Sequence, residues 1–155
     1  MIKFALMGTA LLALTGCIAV DVDETRLDTN VSHFGSMAVG GTELPFSKAV
    51  RAGNTIYVSG ELGIDPETNA LVPGGTGPET TQIFINLERT LNTFDADLSN
   101  IVKCTVFLGD MADYAEMNAA YKASLPAPMP ARATVGVSGL AVGANLEIDC
   151  IAVAS

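Results

Sequence analysis

Residues 78–97 read Pro-Glu-Thr-Thr-Gln-Ile-Phe-Ile-Asn-Leu-Glu-Arg-Thr-Leu-Asn-Thr-Phe-Asp-Ala-Asp. Ile83, Leu87, Leu91, Phe94 and Leu98 follow one another at steps of four, four, three and four residues. That spacing puts them in one stripe along a helix and predicts a helix over 78–97 with a single buried face. Pro78 suits the first turn, where its missing N–H is no loss. Glu79 favours the positive end of the helix dipole.

The segments on either side show what that stripe packs against. Ile101 to Leu108 is rich in strand-forming residues. Asp110 can cap a following helix, with Asp113 in its first turn. Tyr114, Met117, Tyr121 and Leu125 form its apolar stripe, and the prolines between Pro126 and Pro130 end it. Upstream, Phe46–Ala52 and Thr55–Ser59 read as strands joined by Gly53-Asn54, a connection that fits a type II′ hairpin. Asp65-Pro66-Glu67-Thr68-Asn69 is a turn cluster, and 73–78 is a loop. Gly74-Gly75-Thr76-Gly77 is not a phosphate loop, because no Gly-Lys-Ser/Thr follows. Downstream, Pro130–Val135 and Leu146–Val153 are two closing strands. Strand, strand, helix, strand, helix, strand, strand is the order of an α+β layer fold, a mixed sheet with two helices on one face. The other sheet face then lacks cover, which points to self-association.

The closing strands carry Arg132 and Glu147 in otherwise apolar surroundings. A charge in a sheet is costly without a partner or ligand. Arginine is also the side chain best shaped to grip a carboxylate with two parallel hydrogen bonds. Alternation puts Glu147, Asp149, Ile151 and Val153 on one strand face, and Arg132 with Thr134 on one face of theirs. The expectation is that the two polar sets meet on the sheet face away from the helices. The bland reading is a buried salt bridge between Arg132 and Glu147.

Composition narrows the partners. The chain has 155 residues, 49% of them hydrophobic, enough for one domain with a core. A net charge of −9 with eight scattered basic residues disfavours a nucleic-acid surface. One histidine and separated cysteines make a zinc site unsuitable. Cys104 and Cys150 sit in strand-like runs and read either as inert buried thiols or, outside the cytoplasm, as a disulfide. His33 reads as a surface or tether residue, and Tyr114 and Tyr121 as core.

The N-terminus has its own signature. Lys3 and the short apolar run Phe4–Leu14 form a secretory n-region and h-region, too short to span a bilayer. Leu14-Thr15-Gly16-Cys17 resembles the bacterial lipobox, in which cleavage precedes a lipidated cysteine. The expected organisation is a signal peptide at 1–16, a lipid-anchored tether at 17–40 that is acidic over Asp21–Asn30, and a domain at 41–155. The location expected is the bacterial envelope, facing the periplasm. Ile18 after Cys17, where an Asp would resemble a retention signal, leans towards the outer membrane.

Val58-Ser59-Gly60-Glu61-Leu62, Val102–Leu108, Asp113–Tyr121, Pro130–Val135 and Leu146-Glu147-Ile148 together resemble the reactive-intermediate deaminase (Rid, or YjgF) family, in order, from about Phe46 to Val153. The resemblance implies a chorismate-mutase-like domain assembled as a homotrimer, with clefts between subunits and neither metal nor organic cofactor. It implies hydrolysis of reactive 2-imino acids and their enamine tautomers, such as 2-aminoacrylate, to 2-keto acids and ammonia. By position, Arg132 would clamp the substrate carboxylate and Glu147 would hold the attacking water. The carbonyl near Thr134 would be a second acceptor, and Ser59, Gly60 and Phe46 would line the pocket. Asn118 matches a position near the subunit contact. A nearby Arg132 would lower the Glu147 pKa, which favours a water-positioning acceptor over a strong base. Archetypal members often have Tyr where Phe46 stands, Cys where Thr134 stands and Gln where Glu61 stands. The alternative is a non-catalytic trimer that binds a small carboxylate or an envelope partner. Ribonuclease activity, attributed to some relatives, suits the acidic surface poorly.

Overall fold

The computed structural model describes residues 30–39 and 42–154, with the backbone alone at 36–39, 42 and 43. The expected signal peptide, Cys17 and the acidic tether up to residue 29 lie outside the described residues. The strands are β1 (Val31–Val39), β2 (Thr42–Ala52), β3 (Thr55–Leu62), β4 (Ile64–Asp65), β5 (Ala70–Leu71), β6 (Ile101–Leu108), β7 (Ala131–Gly136) and β8 (Leu146–Val153). Helix α1 spans Thr76–Asn92 and α2 spans Tyr114–Ser124. Six strands form one sheet in the order β1-β2-β3-β8-β6-β7, and β4 pairs with β5 as a separate ribbon. Only the β6–β7 pairing is parallel; the other pairs in the sheet are antiparallel. A parallel pair needs a crossover, and α2 supplies it. The mixed sheet with two helices is the α+β architecture the sequence implies.

The core lies on one face of the sheet. Ile56, Val58, Cys104, Val106, Leu108, Leu146, Ile148, Cys150 and Ala152 meet Ile83, Leu87 and Leu91 of α1, and Met117 and Tyr121 of α2. The expected stripe is buried as far as Phe94. The helix itself ends at Asn92, earlier than Asp97. Asp95 takes a left-handed φ of 56°, and Asp97 caps a separate short turn over Leu98–Asn100, so Leu98 packs on the core from outside the helix. Glu79 does more than favour the helix dipole. Its buried carboxylate accepts the Asn145 backbone N–H at 2.9 Å and the Asn145 side-chain amide at 2.5 Å, tying the start of α1 to the loop before β8.

Two features depart from the expected layout, and a third settles an alternative left open. Residues 31–39, assigned to the tether, pair with β2 and extend the sheet by one strand. The 64–71 turn region carries the β4–β5 ribbon. Cys104 and Cys150 face each other in register between β6 and β8, with Cα atoms 4.2 Å apart, and form a disulfide, resolving the choice the sequence left open. The β2–β3 hairpin turns where expected, with Gly53 at φ 58° and Ala52 opposite Thr55. A positive φ at the first central residue is what a type II′ turn asks of glycine. Among the described residues, no helix is long and apolar enough to cross a membrane.

Candidate active site

Glu147 sits near the start of β8, between β3 and β6 in the middle of the sheet. Its neighbours Leu146 and Ile148 are buried against the helices, so its side chain rises from the opposite, open face. There it lies against Gly60. A β-carbon built on Gly60 would fall on the Glu147 carboxylate, with Cδ at 2.6 Å. Only glycine leaves room for that carboxylate. A register shift between Val58 and Glu61 places Ser59 and Gly60 at a β-bulge, a device that re-aims side chains beside functional sites. Burial raises the Glu147 pKa, and the nearby Asp149 charge raises it further.

Beside it lies an open depression of about 520 Å³, lined by Phe46, Tyr57, Val58, Ser59, Gly60, Lys103, Thr105, Asp149, Cys150 and Ile151. Three of the expected pocket residues, Phe46, Ser59 and Gly60, are therefore brought together. The Ser59 hydroxyl donates to the Ser47 carbonyl at 2.8 Å, so towards a ligand it can only accept. Asp149 accepts the Thr105 backbone N–H at 3.2 Å, which fixes its carboxylate over the sheet. Tyr57 and Lys103 also line the depression and were not singled out from the sequence. Their strand alternation with buried Ile56 and Val58, and with buried Cys104, was the signal that could have found them.

Arg132 is elsewhere. In the parallel β6–β7 pairing, Arg132 stands opposite Cys104 and Thr134 opposite Val106. Cys104 and Val106 are fully buried on the helix side, so Arg132 and Thr134 project to that side as well. Arg132 Nη2 donates to the Tyr114 hydroxyl at 3.0 Å, and its guanidinium carbon lies 4.6 Å from the Tyr121 ring centre. The Thr134 hydroxyl is buried without a hydrogen-bond partner.

The expected meeting of the two polar sets on the open face therefore does not occur within one chain. Arg132 and Glu147 stand on opposite faces of the sheet, and no salt bridge joins them. The reason is register: alternation fixes which residues of a strand share a face, and pairing with β6 decides which face that is. The expected lowering of the Glu147 pKa by Arg132 fails for the same reason. Tyr121 is core, as expected; Tyr114 is 40% exposed and contacts Arg132.

Glu61, the acid expected to disturb a carboxylate ligand, is buried and meets Lys48 Nζ at 3.4 Å. Burial raises its pKa more than Lys48 lowers it. His33 is in β1, with Nδ1 3.1 Å from the Ser47 hydroxyl. Asn118 is exposed on α2. The proposed lipidation residue Cys17 lies outside the described residues.

Residues 40–154 match the family model described as Endoribonuclease L-PSP. A mouse protein named 2-iminobutanoate/2-iminopropanoate deaminase is 43% identical over 109 residues, covering 70% of this chain and 81% of its own. The structure of RidA from an Antarctic Psychrobacter superposes with a TM-score of 0.70 at 38% identity, over 77% of this chain and 94% of its own. The YjgF gene product of E. coli also superposes at a TM-score of 0.70, with 31% identity over 78% and 94% of the two chains.

Proposed function

Because the chain belongs to the Rid/YjgF family, whose model is described as Endoribonuclease L-PSP, we propose that it hydrolyses reactive 2-imino acids to 2-keto acids and ammonia in clefts between copies of itself. The observation that carries this reading is the division of the site. Glu147 and its depression occupy the open face, while Arg132 stands at the helix side of β7, the strand at the sheet edge. An edge strand of one copy laid against the open face of another would bring an arginine to a glutamate. In a homotrimer each cleft would combine Glu147 of one chain with Arg132 of the next.

The chemistry follows from the two side chains. The arginine fork binds the substrate carboxylate through parallel charge-assisted hydrogen bonds and turns the C=N carbon towards Glu147. Glu147 orients a water molecule at that carbon. The water oxygen forms the new C–O bond, both water protons pass in turn to the nitrogen, the C–N bond breaks, and the nitrogen leaves as ammonia while the oxygen becomes the keto group. Burial raises the Glu147 pKa within one chain, and an arginine brought in by the next chain would offset part of that rise, so Glu147 suits holding the attacking water more than acting as a strong base. The carbonyl near Thr134 is the second acceptor for that water. Phe46, Ser59 and Gly60 close the wall of the depression.

The proposed setting is the bacterial envelope, with Cys17 lipidated and the domain facing the periplasm, the outer membrane favoured by Ile18. Supporting it are the lipobox-like Leu14-Thr15-Gly16-Cys17 and the Cys104–Cys150 disulfide, which suits an oxidising compartment. Acylation that persists in Cys17→Ser, or processing insensitive to globomycin, would overturn it.

The activity is tested by generating 2-iminopropionate in place with an amino-acid oxidase and following its decay. The purified protein accelerates the decay, and Arg132→Ala abolishes the acceleration. No acceleration by the wild type, or equal acceleration by the variant, would sink the assignment.

A further inference from the structure

We propose that Tyr114 is a positioning residue for the carboxylate clamp, holding the Arg132 guanidinium in its binding direction by accepting one of its N–H groups. The inference rests on the reading of Arg132 as the clamp.

The geometry has three parts. Tyr121 is 4% exposed and packs edge-on against Phe84, with ring centres 5.1 Å apart. Its ring is thus a fixed floor, and the guanidinium carbon of Arg132 lies 4.6 Å from the ring centre. A cation over an aromatic face is attracted by the ring quadrupole, which fixes its height and leaves its edges free. Stacking alone does not stop the fork from turning over the ring. Tyr114, at the first residue of α2, supplies that stop: its hydroxyl takes the Nη2–H at 3.0 Å, and its ring centre is 5.8 Å from the guanidinium carbon.

The donor inventory explains why this contact does not spend the clamp. A guanidinium carries five N–H groups and accepts nothing, so in this bond the tyrosine hydroxyl must be the acceptor. The remaining N–H groups can serve a carboxylate, and the phenolic proton can be given to a ligand oxygen or to water. A free arginine side chain loses much rotamer freedom when it grips a ligand. A side chain already held by a floor and a stop loses less, which appears as affinity. The topology produces the arrangement: α2 is the crossover between β6 and β7, and Tyr114 and Tyr121, seven residues apart on one helix face, lie beside the β7 arginine.

The effect should fall on carboxylate binding and spare chemistry, since substrate and transition state carry the same carboxylate. The test compares the full domain with Tyr114→Phe, which keeps the ring and deletes the hydroxyl. Steady-state kinetics on 2-iminopropionate are paired with calorimetric binding of the product-type ligand 2-oxobutanoate. The expected result is a rise of about three- to ten-fold in both KM and Kd, as fits the loss of one hydrogen bond, with kcat within two-fold and Tm unchanged. Unchanged KM and Kd would overturn the role of Tyr114 and leave the deaminase reading intact. A fall in kcat together with Tm would reduce Tyr114 to a structural residue. If the wild type binds 2-oxobutanoate without turning over imine, and the variant binds it more weakly, the deaminase reading fails and the positioning role stands. A wild type that neither turns over imine nor binds 2-oxobutanoate overturns both.

Discussion

The two halves of the candidate site are built in different ways. Glu147 is held from the middle of the sheet. Strands flank it on both sides, a β-bulge opens beside it, and the bare backbone of Gly60 lies against its carboxylate. Arg132 is held at the edge by two tyrosine side chains from the crossover helix. The acid is fixed by backbone architecture and tuned by burial. The base is long, stands at a margin and is oriented by contacts that single substitutions can remove. The difference teaches that the half proposed to hold water is part of the fold, whereas the half proposed to grip a carboxylate depends on side-chain contacts at the β7 edge.

The strongest way to break this division is to mix two inactive proteins. Arg132→Ala and Glu147→Gln should each lose imine hydrolysis by two orders of magnitude or more. If each cleft draws its two residues from different chains, unfolding and refolding an equal mixture should restore about a quarter of the wild-type activity by random assortment. A site made within one chain would restore none, and the rate assay on the mixture decides between them.

Gly60→Ala probes the backbone-built half alone. The added β-carbon would displace the Glu147 carboxylate, the mobile end of a side chain, so the fold should persist. Activity should fall on the order of a hundred-fold through misplacement of the water-holding group, with Tm changing by only a few degrees. A large loss of Tm with proportionate loss of activity would show that Gly60 serves the fold instead.

The tuning of Glu147 gives a smaller, pH-dependent effect. Burial and then Asp149 hold its pKa above the ordinary carboxylate value, so activity that needs the ionised form should fall as pH drops through that raised value. Asp149→Asn removes the second cause, keeps an oxygen for the Thr105 N–H, and should move the acid limb of the kcat/KM profile to lower pH. An acid limb that stays in place would remove Asp149 from the electrostatics of the site.

The smallest effect concerns stability. The Glu61 pKa is raised in the folded state because burial outweighs the help of Lys48. The unfolded chain then ionises first as pH rises, so folding is penalised increasingly above the ordinary carboxylate value, and fully above the folded pKa. Glu61→Gln should therefore raise Tm at pH 8, with the gain shrinking towards pH 4.5. An equal gain at both values would mean that charge is not the cause.

Much of this was legible in the chain. The α1 stripe of Ile83, Leu87 and Leu91 is fully buried, the Gly53-Asn54 turn is where its residues demand, and Phe46, Ser59 and Gly60 share one depression. Strand β1 was harder to read because its sequence is mixed, with no clear alternation to announce a buried face, and four of the five side chains described in it, those of residues 31–35, are exposed. The Glu79–Asn145 tie joins residues 66 positions apart, a contact that no local pattern encodes.

The sequence by itself determined which residues share a helix stripe, which alternate along each strand, where the chain must turn, and that Arg132 and Glu147 are charges in need of a purpose. Only the tertiary structure decided how those faces are oriented relative to one another. It set Arg132 opposite Cys104 and Glu147 opposite Phe107, on different sides of one sheet, and it joined Cys104 to Cys150. The physical reason is that alternation is a local property of one strand. The register between strands is a long-range choice made by packing the core, and a slip of one residue would reverse every side chain.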